Sequence, residues 1–242
     1  MIKGKQKSKL LLDVIIIALI AISSFYLLFS MKENNNSYEK EMTNVISMVD
    51  DKSLEKGNQD KLVKLEEYQN YYHNDDIIAR LVIEGTNIDS LLVKTTNNKF
   101  YLNHTLYKTK NYKGSNFVDY RTPLDSKQIN IYGHNSKEGN MMFTELEKYL
   151  DKDFYEDHKY INLYDGKNTR VYEIASVYID KTSHEHIIVN PSNRKDHIDK
   201  LSQFSIYKTD TDLKEDDDLI ILQTCYYKPK NSYLVVVAKR IK

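Results

Sequence analysis

Short apolar runs bounded by polar turns recur along the chain after residue 76, and this pattern predicts mainly β structure. Two stretches, 141–150 and 192–206, instead place apolar residues at helical spacing, and Asn140 is positioned to cap the first of them. A short helix is predicted to open at 100–104. Many short strands with few helices are typical of a β-barrel or β-sandwich carrying peripheral helices. The predicted strands are 77–84, 88–94, 128–132, 159–164, 169–179, 219–222 and 233–239.

The most apolar part of the chain is residues 10–29, which follow a lysine-rich segment at residues 1–9. About 20 apolar residues suffice to cross a bilayer as a helix, and a basic flank stays on the cytoplasmic side. A cleaved signal peptide is the alternative, but its apolar region is usually shorter. We therefore predict a cytoplasmic tail at 1–9, an uncleaved single-pass anchor at 10–30, and residues 31–242 outside the cell.

Residues 31–75 are polar and separate the predicted anchor from the β-rich region at 76–242. Apolar residues recur at helical spacing in two parts of this segment, and Ser37 is a suitable N-cap for the first. We predict two helices that space the β-rich domain from the membrane and pack on it. A solvated linker is the alternative for the first helix.

Composition excludes several classes of function. Lys+Arg and Asp+Glu both number 35, so the net charge is zero, whereas a nucleic-acid partner would require a basic surplus. The single cysteine excludes an internal disulfide and a four-thiolate zinc site. No glycine-rich phosphate loop is present in the sequence, and no cofactor is predicted. Outside the cytoplasm, an unpaired thiol is a sign of reactivity.

This cysteine, Cys225, follows the apolar run 219–222 and precedes a turn that contains Pro229 and Asn231. Because another β-rich run begins at residue 233, an antiparallel hairpin is the simplest interpretation. A thiol at the end of a strand, beside a loop, is accessible to a substrate. The alternative is a small buried side chain, since free cysteine is among the most buried residue types.

A cysteine nucleophile needs a base or an imidazolium partner near neutral pH. His134 is the best placed histidine, because it leaves the predicted strand 128–132 through a glycine and therefore lies at a strand mouth. His184 and His186 form an alternative site, since two histidines at i and i+2 of a strand share a face and could bind a metal. No third ligand is suggested nearby, so no metal is predicted. The acidic run 215–218 lacks the spacing of a calcium loop and is interpreted as a solvated turn.

Taken together, these residues resemble a class B sortase, a membrane-anchored cysteine transpeptidase of Gram-positive bacteria. The resemblance covers most of residues 38–242, and it depends on the order and spacing of several motifs that are individually weak. It implies an eight-stranded sortase-type β-barrel with N-terminal helices and an extra helix before the seventh strand. The motifs are Asn98-Lys99-Phe100-Tyr101-Leu102, Gly114-Ser115-Asn116-Phe117-Val118-Asp119-Tyr120-Arg121, Tyr132-Gly133-His134-Asn135 with Met142-Phe143 after it, and Leu222-Gln223-Thr224-Cys225.

The resemblance also implies a reaction and its partners. Cys225 is expected to attack the carbonyl of a threonine in the C-terminal sorting signal of a secreted protein, commonly of Asn-Pro-X-Thr or Pro-X-Thr-Gly type. His134 is expected to protonate the departing amine and leave a thioester on Cys225. An amine of a peptidoglycan precursor then resolves the thioester, with His134 as the base. The expected location is the cell membrane, with the catalytic domain outside.

The third catalytic residue departs from the family pattern. The family places an arginine at the start of the last strand, and that register falls on Tyr233. Arginine donates charged hydrogen bonds to a substrate or an oxyanion, whereas a tyrosine hydroxyl donates one bond without charge. Arg240 is the alternative third residue, although it lies further along the strand and on the opposite face. Lys228 or Lys230, on the loop, could supply charge instead.

For substrate contacts the resemblance suggests Asn98 and Leu102 near the groove, with Gln223 and Thr224 beside the nucleophile. Two alternative functions stay open. One is a thiol peptidase that releases its substrate to water. The other is a catalytically weak or silent binding module for sorting signals, which the tyrosine at position 233 favours.

Overall fold

A computed structural model describes residues 14–33, 36, 64–139 and 141–242. The chain divides into two compact units, residues 1–44 and 45–242. In the first unit, helix α1 (Val14–Glu33) has 20 residues with a mean hydropathy of 2.5. At about 1.5 Å per residue it spans roughly 30 Å, the thickness of a bilayer's hydrocarbon core. This length and composition are compatible with the predicted anchor.

The second unit contains a closed barrel of eight strands, which confirms the predicted fold. Around the barrel the strands follow the order β1-β2-β3-β4-β7-β8-β6-β5, and β5 pairs with β1 to close it. The strands are β1 (Ile77–Ile83), β2 (Ile88–Val93), β3 (Phe117–Val118), β4 (Gln128–Tyr132), β5 (Tyr160–Tyr164), β6 (Thr169–Asp180), β7 (Leu219–Tyr226) and β8 (Ser232–Arg240).

Strands β4 and β7 are parallel neighbours, and their pairing runs from Gln128 opposite Leu219 to Tyr132 opposite Gln223. Residues 219–222 are fully buried, as expected for a strand covered on both faces, where the apolar run is continuous rather than alternating. Because the two strands are parallel, the chain leaves both of them at the same rim of the barrel.

Within residues 64–139 and 141–242, three α-helices and three 3₁₀ helices lie around the barrel. Ile198 and Leu201 of α4 cover the outer face of β7 and β8, where they join Leu219, Ile221 and Val235 in one buried cluster. The α-helices are α2 (Leu65–Tyr72), α3 (Lys152–Asp157) and α4 (Arg194–Gln203), and the 3₁₀ helices are Phe100–Leu102, Met142–Leu150 and Glu185–Ile187. Helix α2 lies in the second predicted N-terminal helix, and α4 lies in the helix predicted at 192–206. The first N-terminal helix and the Asn140 cap lie outside the described residues.

The helix predicted at 141–150 is a 3₁₀ helix, Met142–Leu150, rather than an α-helix. Phe143, Leu146 and Tyr149 are fully buried and stand three residues apart. A 3₁₀ helix has three residues per turn, so this spacing aligns the three side chains on one face toward the barrel. The short helix α3 follows directly and was not predicted.

The His184-Glu185-His186 segment is not a strand, so the prediction that both imidazoles share one strand face is wrong. His184 has a left-handed backbone with φ of 49°, and the 3₁₀ helix starts after it. The reversal begins at Asp180, whose Oδ1 accepts hydrogen bonds from the backbone N–H groups of Thr182 and Ser183. Such side-chain caps replace the strand ladder with a turn. Within the described residues, no group of three metal-ligating side chains is found.

Candidate active site

His134 follows β4 and Cys225 lies near the end of β7, so both residues are at the same rim of the barrel. Beyond the last paired residues, the Gly133 N–H donates to the Gln223 carbonyl at 3.2 Å. The Thr224 hydroxyl donates to the Gly133 carbonyl at 2.8 Å. Adjacent strands lie about 4.8 Å apart, and these bonds extend that spacing past the end of the ladder. The parallel pairing therefore brings the two segments together.

Gly133 is required at this rim by close packing. A Cβ atom placed there would lie 2.3 Å from Asn116 Oδ1 and 2.6 Å from ring carbons of Phe143. Both distances are shorter than real Cβ contacts allow, so a side chain at position 133 would force Asn116 and Phe143, or the backbone just before His134, to move. The glycine thus fixes the exit direction of the histidine.

Asn135 holds the two segments together and was not singled out by the sequence pattern. Its buried Nδ2 donates to the Cys225 carbonyl at 2.8 Å and to Glu147 Oε1 at 2.6 Å. Its own carbonyl accepts from the Tyr227 hydroxyl at 2.9 Å. The only sequence signal is that an amide follows the histidine, because every partner is distant along the chain.

In the described part of the chain, the hydrogen bond that holds the His134 ring is to a backbone carbonyl. Its Nε2 lies 2.7 Å from the Leu102 carbonyl oxygen. A carbonyl can only accept, so Nε2 carries a proton and donates. In the neutral ring, Nδ1 is then the nitrogen that is free to accept a proton.

Cys225 is exposed, and its thiol makes no hydrogen bond to any part of the chain that the structure describes. Partial desolvation raises the pKa of the Cys225 thiol above its ordinary value, and no charged neighbour opposes that shift. The thiol is therefore protonated at neutral pH in this state. The ladder continues through Cys225 to Tyr226, so β7 is longer than the predicted strand 219–222.

Tyr233 lies directly opposite Cys225 in the antiparallel β7–β8 hairpin, which confirms the predicted hairpin. Its ring is half-buried, with the His186 ring centroid at 5.7 Å and the His184 ring centroid at 6.0 Å. Among the described residues, none forms a hydrogen bond with the Tyr233 hydroxyl. Within the part of the chain that the structure describes, this hydroxyl is therefore an available donor on the residue that faces Cys225 across the hairpin.

The chain matches the sortase domain family over residues 81–241. It belongs to the sortase family. Members of this family are cysteine transpeptidases that act at the cell surface. The match confirms, at the level of the family, the predictions of a sortase and of a cysteine enzyme.

The relatives found are sortases B, in agreement with the predicted class. Sortase B of Listeria monocytogenes is 35% identical over 158 residues, which are 63% of this chain and 63% of that protein. Sortase B of Staphylococcus aureus is 31% identical over 176 residues, or 70% of this chain and 72% of that protein. The chain thus spans under two thirds of the Listeria relative.

Solved structures give the same result for the fold. A Clostridium perfringens sortase B structure has a TM-score of 0.68 at 34% identity and covers 73% of this chain and 100% of its own. A Staphylococcus aureus sortase B–substrate complex has a TM-score of 0.73 at 26% identity and covers 87% of this chain and 97% of its own.

Arg240 does not reach the rim in this sortase-family chain. It ends β8 and pairs with Tyr172 on β6, and its guanidinium lies 3.9 Å from Asp218, which precedes β7. Cys225 is near the opposite end of β7, about 20 Å away at 3.3 Å per residue. The alternative prediction that Arg240 completes the site is therefore wrong. Lys228 and Lys230 lie exposed in the turn of the hairpin.

The four predicted substrate contacts differ in how exposed their side chains are and in which hydrogen bonds they make. Thr224 is 1% exposed and its hydroxyl donates to the Gly133 carbonyl, so its side chain is buried, and a substrate contact at Thr224 stays a prediction. Gln223 is half-buried, and its Oε1 is buried without a partner among the described residues. Asn98 Oδ1 accepts from the Tyr120 N–H at 2.9 Å, and the Leu102 side chain is exposed.

A buried carboxylate supports β4 beside this site. Asp119 accepts hydrogen bonds from Arg121 at 2.6 Å and from the Tyr132 hydroxyl at 2.8 Å. Burial raises the pKa of Asp119, but these hydrogen bonds outweigh burial and hold the pKa below its ordinary value. Arg121 also reaches the carbonyl of Ile187 at 3.2 Å. It thereby links the segment after β3 to the 3₁₀ helix Glu185–Ile187.

Proposed function

We propose that this chain is a sortase B-type transpeptidase that cleaves a C-terminal sorting signal after threonine and joins the protein to an amine of a peptidoglycan precursor. The observation that carries the proposal is the parallel β4–β7 pair, which presents His134 and Cys225 at one rim. Membership of the sortase family supports it. No cofactor enters the reaction.

The reaction has two acyl transfers. The Cys225 thiolate attacks the threonine carbonyl, a C–S bond forms, and the C–N bond breaks as His134 gives its proton to the departing amine. An amine of the precursor then attacks the thioester and passes a proton to His134. The new C–N bond forms as the C–S bond breaks, and the thiolate is regenerated. Splitting one difficult step into two easier ones is the advantage of covalent catalysis.

The protein must first move a proton from the thiol. With Nε2 donating to the Leu102 carbonyl, Nδ1 is the nitrogen of His134 that takes it. The Tyr233 hydroxyl then donates to the carbonyl oxygen on which charge develops, since Tyr233 stands opposite Cys225 and its hydroxyl is free. A neutral donor stabilises that charge less than an arginine would, so slow turnover is expected.

We assign the barrel at 76–242 as the catalytic domain, 31–75 as the helical linker, and 10–30 as the membrane anchor with 1–9 cytoplasmic. The exposed apolar surface of α1 supports the anchor. The catalytic domain then faces the cell wall, where secreted proteins with sorting signals and precursor amines meet.

A binding module without turnover is the second candidate. It is favoured by the raised pKa of the Cys225 thiol and by the neutral side chain at Tyr233. Such a module would hold a sorting signal in the groove without cleaving it.

The test uses the full-length chain in detergent with fluorogenic peptides of Asn-Pro-X-Thr and Pro-X-Thr-Gly type, with and without an amine acceptor. A transpeptidase gives an aminolysis product and a peptide thioester on Cys225 by mass spectrometry. A thiol peptidase gives only the hydrolysis product. Peptide binding without any thioester identifies the binding module and overturns the proposal. Cys225→Ala must lose turnover and keep binding.

A further inference from the structure

A buried histidine–carboxylate pair, His186 with Asp180, has no part in the reaction described above. His186 is fully buried, and its Nδ1 lies 2.9 Å from Asp180 Oδ2. Asp180 ends β6 opposite Tyr233 of β8. Since Tyr233 is in turn opposite Cys225, one strand, β8, separates Asp180 on β6 from the thiol on β7.

The protonation of this pair follows from its partners. Burial raises the pKa of Asp180, but hydrogen bonds from Ser183 and the nearby His186 outweigh it and hold the pKa low. An ionised carboxylate can only accept, so Nδ1 of His186 carries a proton. Burial lowers the pKa of His186 despite Asp180, so the ring is neutral and Nε2 is a bare acceptor. Gln223 lies next to the ring and also raises the His186 pKa, but no described residue makes a hydrogen bond of normal geometry to Nε2.

A buried acceptor without a donor is unfavourable for folding, and few are found in folded proteins. Gln223 Oε1 is also a buried acceptor without a donor among the described residues. Gln223 neighbours His186 and lies on the face of β7 that carries Cys225. An apolar side chain of similar size at 186 would avoid that cost. Groups that break a packing rule in this way concentrate at functional sites.

Tyr233 packs against the apolar cluster that contains Leu219, Ile221 and Val235, and its ring also contacts two histidine rings. The His186 ring centroid is 5.7 Å from that of Tyr233 at an interplanar angle of 57°, and the exposed His184 ring follows at 6.0 Å. Only His186 is itself fixed, because Asp180 holds its Nδ1 and Asn130 Nδ2 donates to its carbonyl.

We propose that His186, oriented by Asp180, is a positioning residue that holds the Tyr233 ring so that its hydroxyl faces the acyl group on Cys225. This inference rests on the proposed function, because it concerns thioester formation at Cys225. Without the His186 ring, Tyr233 gains rotational freedom, and its hydroxyl is no longer held where charge develops.

The test is a double-mutant cycle on the full-length chain in detergent, with the rate of thioester formation as the readout. Tyr233→Phe removes the donor and should slow acylation by roughly tenfold to hundredfold. His186→Asn keeps an N–H for Asp180 but removes the ring, and should slow kcat by about tenfold with KM little changed. The double variant should be no slower than Tyr233→Phe alone, because both changes remove one interaction.

His197 provides a matched control. It is 1% exposed, its Nδ1 lies 2.8 Å from Glu185, and its Nε2 lies 2.9 Å from Gln128, so it is a buried histidine–carboxylate pair without a ring contact to Tyr233 among the described residues. His197→Asn should lower the melting temperature as His186→Asn does. His197→Asn should change the acylation rate only slightly. In the His197→Asn/Tyr233→Phe double variant, the fold-change should equal the product of the two single fold-changes.

The outcomes separate the two proposals. If the wild type forms a thioester and His186→Asn slows it by the same factor with Tyr233 or Phe at position 233, or does not slow it, the inference is wrong and the proposed function stands. If the folded wild type forms no thioester with either peptide type, both the proposed function and the role of His186 are wrong. Should His186→Asn fail to fold, Asp180→Asn replaces it in the cycle and must show the same non-additivity.

Discussion

Thr224→Val tests whether the bond between the ends of β4 and β7 sets the spacing of His134 and Cys225. The hydroxyl of Thr224 donates to the Gly133 carbonyl at 2.8 Å, and the residue is 1% exposed. Valine has nearly the same shape, so the substitution removes the hydrogen bond with little change in packing. Each partner of this bond directly precedes one of the two reactive residues.

The expected loss of stability follows from the unsatisfied carbonyl. A buried acceptor left without its donor costs about 1–3 kcal/mol, and the added methyl group offsets a part of that, which leaves about 1–2 kcal/mol. For a domain of this size, each kcal/mol shifts the melting temperature by about 2–4 °C. Thr224→Val should therefore lower the melting temperature by about 2–8 °C.

The assay combines thermal unfolding with the rate of thioester formation on Cys225. Thr209 is a matched control, since it is 8% exposed and its hydroxyl donates to the Ala175 carbonyl at 2.8 Å. Thr209→Val should lose similar stability and keep the wild-type acylation rate, whereas Thr224→Val should also acylate more slowly. Equal acylation rates in the two variants would refute the claim that this bond positions the reactive pair.

Three further outcomes are expected. Alkylation of Cys225 by iodoacetamide should accelerate with pH and inflect above about 8.5, because desolvation raises the thiol pKa, and an inflection below that value would contradict an unpaired resting thiol. Asn135→Ala removes the donor to the Cys225 carbonyl and should slow acylation at least tenfold, so an unchanged kcat/KM would rule out a positioning role. Asp119→Asn should lower stability at pH 7 by about 1–3 kcal/mol. The lowered pKa makes the Asp119 contribution complete above about pH 3.9 and lost as pH falls through the folded value, so the difference in melting temperature from wild type should shrink as the pH is lowered below about 3.9.

The strands were predictable where apolar periodicity alone determines them. Strand β4 has the predicted bounds, 128–132, because its residues are almost entirely buried. Strand β7 was predicted four residues too short, because its apolar run stops at Leu222 while its ladder continues to Tyr226. Those last residues form the rim, where polar side chains replace apolar ones although the backbone stays extended.

The parts that could not be predicted depend on distant partners. Nothing local to Asn135 reveals that its amide reaches the Cys225 carbonyl, which is 90 residues away. Thr224 resembles a substrate contact in sequence because it precedes the nucleophile, yet the alternation of the strand turns its side chain inward. The turn after β6 depends on one carboxylate, Asp180, and a histidine with a left-handed backbone, which sequence periodicity does not detect.

The distance along the chain between the two halves of the rim affects when the proposed active site can first form. Gly133 and Thr224 are 91 positions apart, and the strand that carries the thiol is the seventh of eight. During synthesis the histidine-bearing strand emerges long before its partner, and contacts that close large loops form late. The nascent polypeptide is thus chemically latent until the penultimate strand docks, and premature termination anywhere upstream yields an inert fragment rather than an unregulated thiol.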